Sequence, residues 1–476
     1  MLFNSIHFFI FFVIVTTVYF LLPHRFRWML LLLASCYFYM AFIPVYILIL
    51  GFTIVIDYVA GILLETKNGK QRKYYLIASL IANIGVLAIF KYYNFLNNNL
   101  SVFLNSVGYQ NHIPGLSILL PIGLSFHTFQ AMSYTIEVYR GNQKAERNFG
   151  IYALYVMFYP QLVAGPIERP QNLLHQFYEK HYFDVHRVID GLKLMVWGLF
   201  KKLVIADRLA LYVNAVYNNP GQHTGITIIT ATVFFAFQIY CDFSGYSDMA
   251  IGAARVMGFK LMTNFNRPYF STSIAEFWKR WHISLSTWFK DYLYISLGGN
   301  KVSIPRWYFN LFFVFVISGL WHGANWTFII WGALNGFYLV FAIATQAFRK
   351  RLSQLIYLDR VPKFNRLIQI LITFSLTCFA WIFFRANSTA DALIIVKKIF
   401  SFSGPLFADW STIMIYSLLG ISFLVLAEAK KEYYKGKFSF MNHPNAFIRY
   451  GTYTFLCMAI VLFGVFDGGQ FIYFQF

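Results

Sequence analysis

Long apolar runs separated by short basic loops dominate this sequence. Several runs are shorter than the about 20 residues that a helix perpendicular to a membrane needs, so their ends must extend or some runs must only dip into the bilayer. The pattern predicts an all-α polytopic membrane protein with about twelve transmembrane helices and additional re-entrant and amphipathic helices. The runs lie near residues 8–22, 28–42, 45–64, 76–90, 118–138, 151–163, 191–205, 226–240, 307–320, 326–345, 368–384, 413–426 and 454–466.

The distribution of basic residues predicts which loops face the cytoplasm. Basic loops at 25–27, 67–73 and 140–147 alternate with loops that carry little positive charge, and cytoplasmic loops of membrane proteins are enriched in Lys and Arg. These three loops are therefore predicted to be cytoplasmic, with the N-terminus outside. Further alternation places the basic stretch 430–449 inside and directs the last helix outward. Residues 467–476 are then predicted to form an extracytoplasmic tail.

The parity of the crossings predicts one run that does not span. Three apolar runs lie between the cytoplasmic loop at Arg140 and the basic stretch that begins at Arg255, although the chain must cross the membrane an even number of times between them. The run 151–163 is the shortest and contains Pro160, which interrupts helical hydrogen bonding. We predict that this run is re-entrant or buried in the bundle, with 191–205 as the alternative.

Composition supports the membrane class and excludes others. Of the 476 residues, 58% are hydrophobic and only 12% are charged, which leaves too little polar surface for a soluble domain. The net charge of +20 is spread over short clusters between the apolar runs, where the bias toward positive cytoplasmic loops puts it, so we expect no nucleic-acid binding. Residues 1–476 are predicted to form a single integral-membrane domain.

One histidine lies deep in the predicted bundle. His322 is the sixteenth residue after Arg306, an advance of about 24 Å along a helix in a hydrocarbon core of roughly 30 Å. An ionisable residue at that depth marks a functional site by default. From position alone, a packing histidine bonded to a neighbouring helix is an equally good interpretation. Gly319 and Gly323 flank it and permit close approach of another backbone or a ligand.

The stretch 274–297 predicts an amphipathic helix at the cytoplasmic interface. Its apolar side chains recur at spacings of three and four, as Trp278, Trp281, Leu285, Trp288 and Tyr292. A Trp-rich interfacial anchor is the simpler interpretation. The functional alternative is that Lys279 and Arg280 meet an anionic substrate at a cavity mouth, with His282 beside them.

Other polar stretches lie in apolar surroundings. Asp242 and Asp248 are predicted to brace the bundle through Arg255 or other basic partners, and residues 165–170 are predicted to form a capped turn. The aromatic C-terminus, 471–476, is typical of an interfacial belt. No P-loop, dinucleotide fingerprint, zinc signature or Gly-x-Ser-x-Gly elbow occurs, so neither a metal site nor those enzyme classes are expected.

Five motifs together resemble the membrane-bound O-acyltransferase (MBOAT) family. They are Pro160-Gln-Leu-Val-Ala-Gly-Pro-Ile-Glu-Arg-Pro170, Asp242-Phe-Ser-Gly-Tyr-Ser-Asp248, Asn264-Phe-Asn-Arg-Pro268, Glu276-Phe-Trp-Lys-Arg-Trp-His282 and Ser318-Gly-Leu-Trp-His-Gly323. The similarity spans nearly the whole chain. It is greatest to the bacterial branch that contains the alginate and peptidoglycan O-acetylation membrane proteins and the teichoic-acid D-alanylation protein.

The resemblance implies roles for individual residues. In the family the deep histidine is catalytic and matches His322, and a second histidine or asparagine matches His282. A C-terminal Phe-x-Tyr-Phe motif, here residues 471–474, implies that Tyr473 accepts the acyl group and hands it on outside. The resemblance also implies a ring of helices around a thin centre, with funnels from both faces that meet near the catalytic histidine.

The resemblance leads us to expect an enzyme of the bacterial inner membrane that moves an acetyl group outward. Acetyl-CoA is the expected donor substrate, with no tightly bound cofactor, and its phosphates are expected to dock at Lys279 and Arg280 beside Trp281. His322 is expected to act as general base on Tyr473. A separate extracytoplasmic esterase-like acetyltransferase, together with membrane lipid, completes the expected partners, and the acceptor is peptidoglycan or an alginate-like polysaccharide.

Three alternatives stay open from the sequence. The first is D-alanyl transfer from a carrier protein to teichoic acid. The second is a transporter or flippase that performs no covalent chemistry. The third is acylation of a protein or lipid with a long chain, against which the tail motif weighs.

Overall fold

A computed structural model describes residues 1–117, 121–163, 165–405, 411–434, 440–466 and 471. All regular secondary structure in these residues is helical, which confirms the predicted all-α class. Eight helices in this part of the chain are long and apolar enough to cross a membrane, namely Tyr46–Thr66, Lys70–Ser106, Gly225–Met257, Ile304–His322, Trp326–Ala344, Pro362–Arg385, Thr412–Tyr433 and Ala446–Phe463. The predicted total of about twelve spans also counts shorter helices such as Ile6–Leu21, whose 16 residues advance about 24 Å.

The chain packs as two compact units, the first made of residues 1–195 and 246–262 and the second of residues 196–245 and 263–476. The helices α10 (Val185–Phe200) and α12 (Gly225–Met257) contribute residues to both units. The other helices of the first unit are α1 (Ile6–Leu21), α2 (His24–Met40), α3 (Tyr46–Thr66), α4 (Lys70–Leu87), α5 (Tyr93–Ser106), α6 (Leu124–Arg140), α7 (Phe149–Met157), α8 (Tyr159–Leu162) and α9 (Pro170–Leu173), with a π-helical turn at Ala88–Tyr92 between α4 and α5.

Buried polar groups inside the first unit are paired across helices. The carboxylate of Asp57 on α3 accepts hydrogen bonds from Ser79 at 2.6 Å and from Asn83 at 2.9 Å, both on α4. A buried carboxylate without such donors would destabilise the fold strongly. These bonds therefore fix the register of two neighbouring apolar helices.

The run 151–163 does not form one spanning helix, as predicted. α7 ends at Met157, Phe158 leaves the helical conformation with a ψ of 111°, and α8 is only four residues long. The two helices advance about 14 and 6 Å, far less than the thickness of a bilayer. All residues of the run are buried. Pro160 lies in the first turn of α8, where its missing N–H removes no helical hydrogen bond.

The second unit has an aromatic core. Its helices are α11 (Asp207–Asn218), α13 (Ile274–Arg280), α14 (Ile283–Trp288), α15 (Ile304–His322), α16 (Trp326–Ala344), α17 (Gln346–Leu355), α18 (Pro362–Arg385), α19 (Thr389–Ile399), α20 (Ser411–Tyr433) and α21 (Ala446–Phe463), with π-helical segments at Lys201–Ala206 and Phe289–Tyr294. Trp281, Trp331 and Trp381 are each only 1% exposed. Burial of three such large rings supplies much of the apolar contact in this unit.

Glycines allow α15 and α16 to pack at close range. A Cβ atom on Gly319 would lie 2.3 Å from the carbonyl oxygen of Phe328, and one on Gly332 would lie 2.3 Å from that of Phe315. A Cβ on Gly323 would collide with the Phe328 ring at 2.1 Å. Only glycine fits such contacts. The close backbone approach predicted beside His322 is therefore confirmed at Gly319, whereas the close neighbour of Gly323 is the ring of Phe328. Both contacts hold the end of α15 close to α16.

The stretch 274–297 is not the single amphipathic helix that the spacing predicted. α13 ends at Arg280, Trp281 is extended, and His282 has a left-handed φ of 42° before α14 begins. The predicted apolar stripe also does not face a membrane surface, because Trp281, Leu285, Trp288 and Tyr292 are buried. The prediction of one helix was wrong, because the spacing of apolar residues shows only which side chains share a face. The helix is interrupted at 281–282 by hydrogen bonds to another segment of the chain.

Candidate active site

His322 is the last residue of α15, and aromatic rings enclose its side chain. The residue is only 5% exposed. The ring centroids of Trp321, Trp331 and Phe384 lie 4.9, 4.9 and 5.1 Å from the centroid of the imidazole. Trp331 belongs to α16 and Phe384 to α18, so three helices meet at this histidine. The aromatic enclosure keeps the imidazole out of bulk water, which strengthens every electrostatic interaction it makes.

The turn that follows His322 is held by an asparagine. The Oδ1 atom of Asn325 accepts a hydrogen bond from the Thr327 N–H at 3.0 Å and caps α16. Its Nδ2 atom donates to the carbonyl oxygen of Asn387 at 3.4 Å. Asn325 thus fixes where α16 begins relative to the end of α15, and thereby fixes the position of the histidine between them.

Stacked tryptophans connect the His322 region with the break in the stretch 274–297. Trp331 stacks on Trp381 with a centroid distance of 5.8 Å and an interplanar angle of 16°. Trp381 in turn contacts Trp281 at 5.1 Å. Trp281 was predicted to lie at the donor-binding face. It lies instead in the aromatic core, and Trp381 and Trp331 connect it to the His322 region.

His282 is buried and held by a side-chain oxygen. Its Nδ1 atom lies 3.1 Å from Oδ1 of Asn264, and the same oxygen accepts hydrogen bonds from the N–H of Ser284 at 3.2 Å and from its hydroxyl at 3.0 Å. Because an amide oxygen only accepts, Nδ1 of His282 carries the proton and Nε2 carries the lone pair. Burial lowers the pKa of His282 to about 3, so the imidazole is neutral at physiological pH.

The strained backbone at His282 is held by a short antiparallel pairing. The N–H of Asn266 donates to the carbonyl oxygen of Arg280 at 2.9 Å, and the N–H of Ile283 donates to that of Asn264 at 2.9 Å. A non-glycine residue in the left-handed region costs of order 1–3 kcal/mol and persists only where its surroundings impose it. The segment that contains Asn264 and Asn266 imposes this conformation on His282, although it precedes the histidine in the sequence by more than a dozen residues.

The first residue of the C-terminal motif lies close to His282. The ring of Phe243 contacts the imidazole edge-on, with 4.6 Å between centroids, and contacts the ring of Phe471 at 5.6 Å. Phe471 is fully buried. Two successive ring contacts therefore connect the second histidine with the residue that opens the predicted tail motif. Tyr473 itself lies outside the described residues.

An arginine–glutamate cluster surrounds Arg280. Its guanidinium donates to Glu276 at 2.6 Å and to both oxygens of Glu432 at 3.0 and 3.1 Å. Glu432 also binds Arg267 at 2.8 Å and Arg366 at 3.2 Å. Three guanidinium groups and two carboxylates leave one excess positive charge. Lys279, next to Arg280, is exposed, so it is the more accessible of the two predicted phosphate-binding cations.

A buried lysine pairs with two carboxylates that flank it in space. Lys202 Nζ lies 2.6 Å from Asp242 and 2.8 Å from Asp207, and all three side chains are buried. The neighbouring Lys201 donates to the hydroxyl of Ser244 at 2.8 Å. Asp242 is therefore braced by a basic partner, as predicted, and that partner is Lys202. A buried charge requires such compensation, and the Lys-Lys pair inside an apolar run was the available sequence signal.

Glu168 lies in the turn at 165–170 and is fully buried. It accepts a hydrogen bond from the backbone N–H of Met262 and another from Asn172 at 3.4 Å. Burial raises the pKa of this carboxyl to about 7, against the lowering effect of those bonds. A buried carboxyl that accepts hydrogen bonds thus stabilises the turn. The sequence predicted the turn but not the burial of Glu168.

The site contains residues that sequence reasoning did not single out. Asn264 orients His282. Phe243 contacts both His282 and Phe471, and Glu432 forms ion pairs with three arginines. Asn264 opens the motif at 264–268, which predicts no role for any one of its residues. Phe243 likewise lies within the motif at 242–248, whereas Glu432 carried no local signal, because the three arginines that bind it are distant in sequence. The arrangement offers two buried imidazoles, an aromatic wall and a basic exposed rim, which suits proton transfer in a desolvated site.

Comparison with known proteins adds an independent finding. The chain matches the sequence profile of MBOAT, the membrane-bound O-acyltransferase family, over residues 148–384. It is 39% identical over 401 residues to the protein of Pseudomonas aeruginosa named "Probable alginate O-acetylase AlgI", covering 84% of this chain and 74% of that protein. It is 37% identical over 402 residues to the peptidoglycan O-acetyltransferase of Helicobacter pylori, covering 79% and 74%.

A more distant relative is the teichoic acid D-alanyltransferase of Bacillus subtilis. The identity is 25% over 293 residues, covering 58% of this chain and 72% of that protein. The matched profile includes both His282 and His322.

Proposed function

The chain belongs to the membrane-bound O-acyltransferase family, and from that premise we propose that it moves acetyl groups from cytoplasmic acetyl-CoA toward a polysaccharide outside the bacterial inner membrane. Its relatives with 37% and 39% identity are named for O-acetylation of peptidoglycan and alginate, whereas the D-alanyl relative is 25% identical. An acetyl donor and an envelope polysaccharide are therefore preferred over D-alanine and teichoic acid.

The observation that carries the proposal is the contact chain from His282 through Phe243 to Phe471. It supports a short route between His282 and the tail motif that contains Tyr473, because Phe471 is two residues before that tyrosine. An acyl group carried on the tail would then need to travel only a short distance between donor and acceptor.

A single proton moves from the attacking phenol to His322 and then to the leaving thiolate. His322 accepts the proton of the Tyr473 hydroxyl as the phenol oxygen attacks the thioester carbonyl. The carbon–sulfur bond breaks, and the imidazolium returns the proton to the departing CoA thiolate. The product is an aryl acetate, whose leaving group has a pKa near 10 and therefore transfers its acetyl group readily to a sugar hydroxyl.

His282 acts beside this step in orienting the thioester. Its Nδ1–H is fixed by Asn264, so Nε2 is presented in one tautomer and one direction. The donor phosphates bind at the basic rim, where exposed Lys279 adds its charge to the excess of the arginine–glutamate cluster. A separate extracytoplasmic transferase with an esterase-like mechanism then moves the acetyl group onto the polysaccharide.

Incubation of the purified full-length protein with acetyl-labelled acetyl-CoA, followed by mass spectrometry of the C-terminal peptide, tests the relay. A label on Tyr473 in the wild type and none in Tyr473→Phe is the expected result. Tyr450→Phe, an exposed tyrosine on the preceding helix α21, is the matched control and should keep both label and activity. Full activity of Tyr473→Phe with no label on the tail would return Tyr473 to a packing role.

The same assay separates the proposal from transport without chemistry. A transporter or flippase leaves the thioester intact, so the wild-type protein would release no free CoA thiol above the background. Turnover with a D-alanyl carrier protein, and none with acetyl-CoA, would reassign the donor and leave the family intact.

A further inference from the structure

A groove of about 810 Å³ opens between α20 and α21. Its apolar walls include Trp197, Phe423 and Phe455, and Gly451 lies in its wall on α21. The volume falls in the range of about 300–1,000 Å³ that small-molecule sites occupy. We name it the α20/α21 groove.

The charge at one end of the groove is positive. Lys430, Lys431 and Arg267 line it, and the lining residues described in the structure include no carboxylate. Lys430 Nζ lies 3.5 Å from the ring centroid of Phe440, and Lys431 Nζ lies 5.3 Å from that of Trp197. Arg267 is ion-paired with Glu432 at 2.8 Å, and the buried Glu428 carboxylate attracts Lys431 and Arg267. Three cations and two carboxylates at this end of the groove leave an excess positive charge.

The groove lies where two candidate membrane spans end. Lys430 and Lys431 are in the last turn of α20, and α21 begins at Ala446. Both helices are long and apolar enough to cross a bilayer. Along α21, Phe447 is 88% exposed and Phe455 is 51% exposed. A charged end at the level of the span termini and an apolar channel along the spans are the two parts of a phospholipid site.

We propose that the α20/α21 groove binds an anionic phospholipid, with its phosphate between Lys430 and Lys431 and one acyl chain along Phe423 and Phe455. The negative charge of a phosphate diester matches the excess positive charge of this end, and an acyl chain covers aromatic surface that the protein leaves open. Basic pockets between transmembrane helices recognise anionic headgroups in this way. The proposal does not depend on the acetyl-transfer route, because none of these residues takes part in it.

The test measures binding of phosphatidylglycerol and phosphatidylcholine to the purified full-length protein in detergent. We expect preferential retention of phosphatidylglycerol in native mass spectrometry, and a rise in the thermal unfolding temperature only with that lipid. In Lys430→Gln/Lys431→Gln the affinity should fall about thirtyfold, as expected for the loss of two cations near a headgroup. The exposed pair Lys350→Gln/Lys363→Gln is the matched control and should bind like the wild type.

A second variant tests the apolar part. A Cβ on Gly451 meets nothing within 4 Å, so Gly451→Trp fills the groove without forcing the backbone apart. Gly51 on α3 is equally open, and Gly51→Trp controls for a tryptophan on a helix surface. Loss of lipid retention in Gly451→Trp but not in Gly51→Trp supports the site. Equal retention of both lipids by the wild type, full competition by inorganic phosphate, or normal retention in both groove variants would overturn it.

Discussion

The dipeptide Trp-His occurs at 281–282 and again at 321–322, and the two histidines are held in different ways. His282 lies at a break between helices, in a left-handed conformation, with a hydrogen bond to Asn264. His322 lies at a helix end that glycines press against the next helix, and its ring is enclosed by Trp331 and Phe384. Both are buried against aromatic rings. A hydrogen bond to Asn264 fixes the His282 ring, and three aromatic rings enclose that of His322.

The same dipeptide can therefore serve two functions, because each histidine has its own set of contacts. An imidazole fixed by a hydrogen bond presents a defined tautomer, which suits orientation of a substrate. An imidazole enclosed by rings is desolvated, which suits a base that must take and return a proton. The following predictions test whether that division between His282 and His322 is real.

The largest effect is expected at His322. His322→Ala should reduce acetyl transfer by at least about a thousandfold, since loss of a general base removes about 10²–10⁴ in rate and loss of the desolvated cage geometry adds to it. Membrane insertion and thermal unfolding should change little. The measurement is release of CoA thiol by purified protein. His112→Ala, an exposed loop histidine, is the control, and retained transfer in a folded His322→Ala protein would remove its catalytic role.

A substitution series at His282 should give intermediate losses. His282→Asn should retain much of the activity, because asparagine tolerates the left-handed conformation and its amide can donate to Asn264. His282→Gly relieves the backbone strain but removes the hydrogen bond to Asn264. His282→Ala removes the hydrogen bond and keeps the strain. We expect transfer to fall about tenfold or more in the Gly and Ala variants, with Ala the least stable. Equal activity of Asn and Ala variants would show that the polar contact is not used.

The pH dependence of stability should distinguish His282 from an exposed histidine. Its pKa is lowered to about 3 in the fold, so the unfolded chain binds the extra proton first as the pH falls below about 6.5. The stability contributed by the neutral form is present above that pH and is lost as the pH falls toward 3. Between pH 7 and 5 the loss is about 2 kcal/mol.

Thermal unfolding of wild type and His282→Asn at the two pH values measures this loss. The variant should show a smaller decrease in unfolding temperature, whereas His112→Asn should match the wild type. An unchanged slope in His282→Asn would contradict the buried neutral state.

The smallest effect is expected at the basic rim before His282. Lys279→Gln should raise the KM for acetyl-CoA severalfold at low salt and leave kcat nearly unchanged, because an exposed charge contributes only about 1 kcal/mol and is screened by ions. Lys290→Gln, another exposed lysine of the same stretch, is the control. An equal KM in both variants would move the donor phosphates away from Lys279.

Much of the architecture can be predicted from the sequence. The apolar runs predicted the helical membrane class, Pro160 and run length predicted the interrupted segment, and the glycines beside His322 predicted a close helix pair. The stretch 274–297 was predicted wrongly as one helix. Its period of three and four does not reveal the hydrogen bond that Asn266 donates to Arg280, or those that Asn264 accepts from His282 and Ile283, where α13 ends.

The sequence by itself determined the membrane class, the family and the two histidines, since these depend on hydrophobic run length and on motifs that are contiguous in the chain. The tertiary structure alone decided what each histidine touches. Asn264 reaches His282, Phe471 reaches Phe243, and Glu432 reaches Arg280. Such contacts join residues far apart in the chain, and their formation depends on how whole helices pack rather than on any local preference.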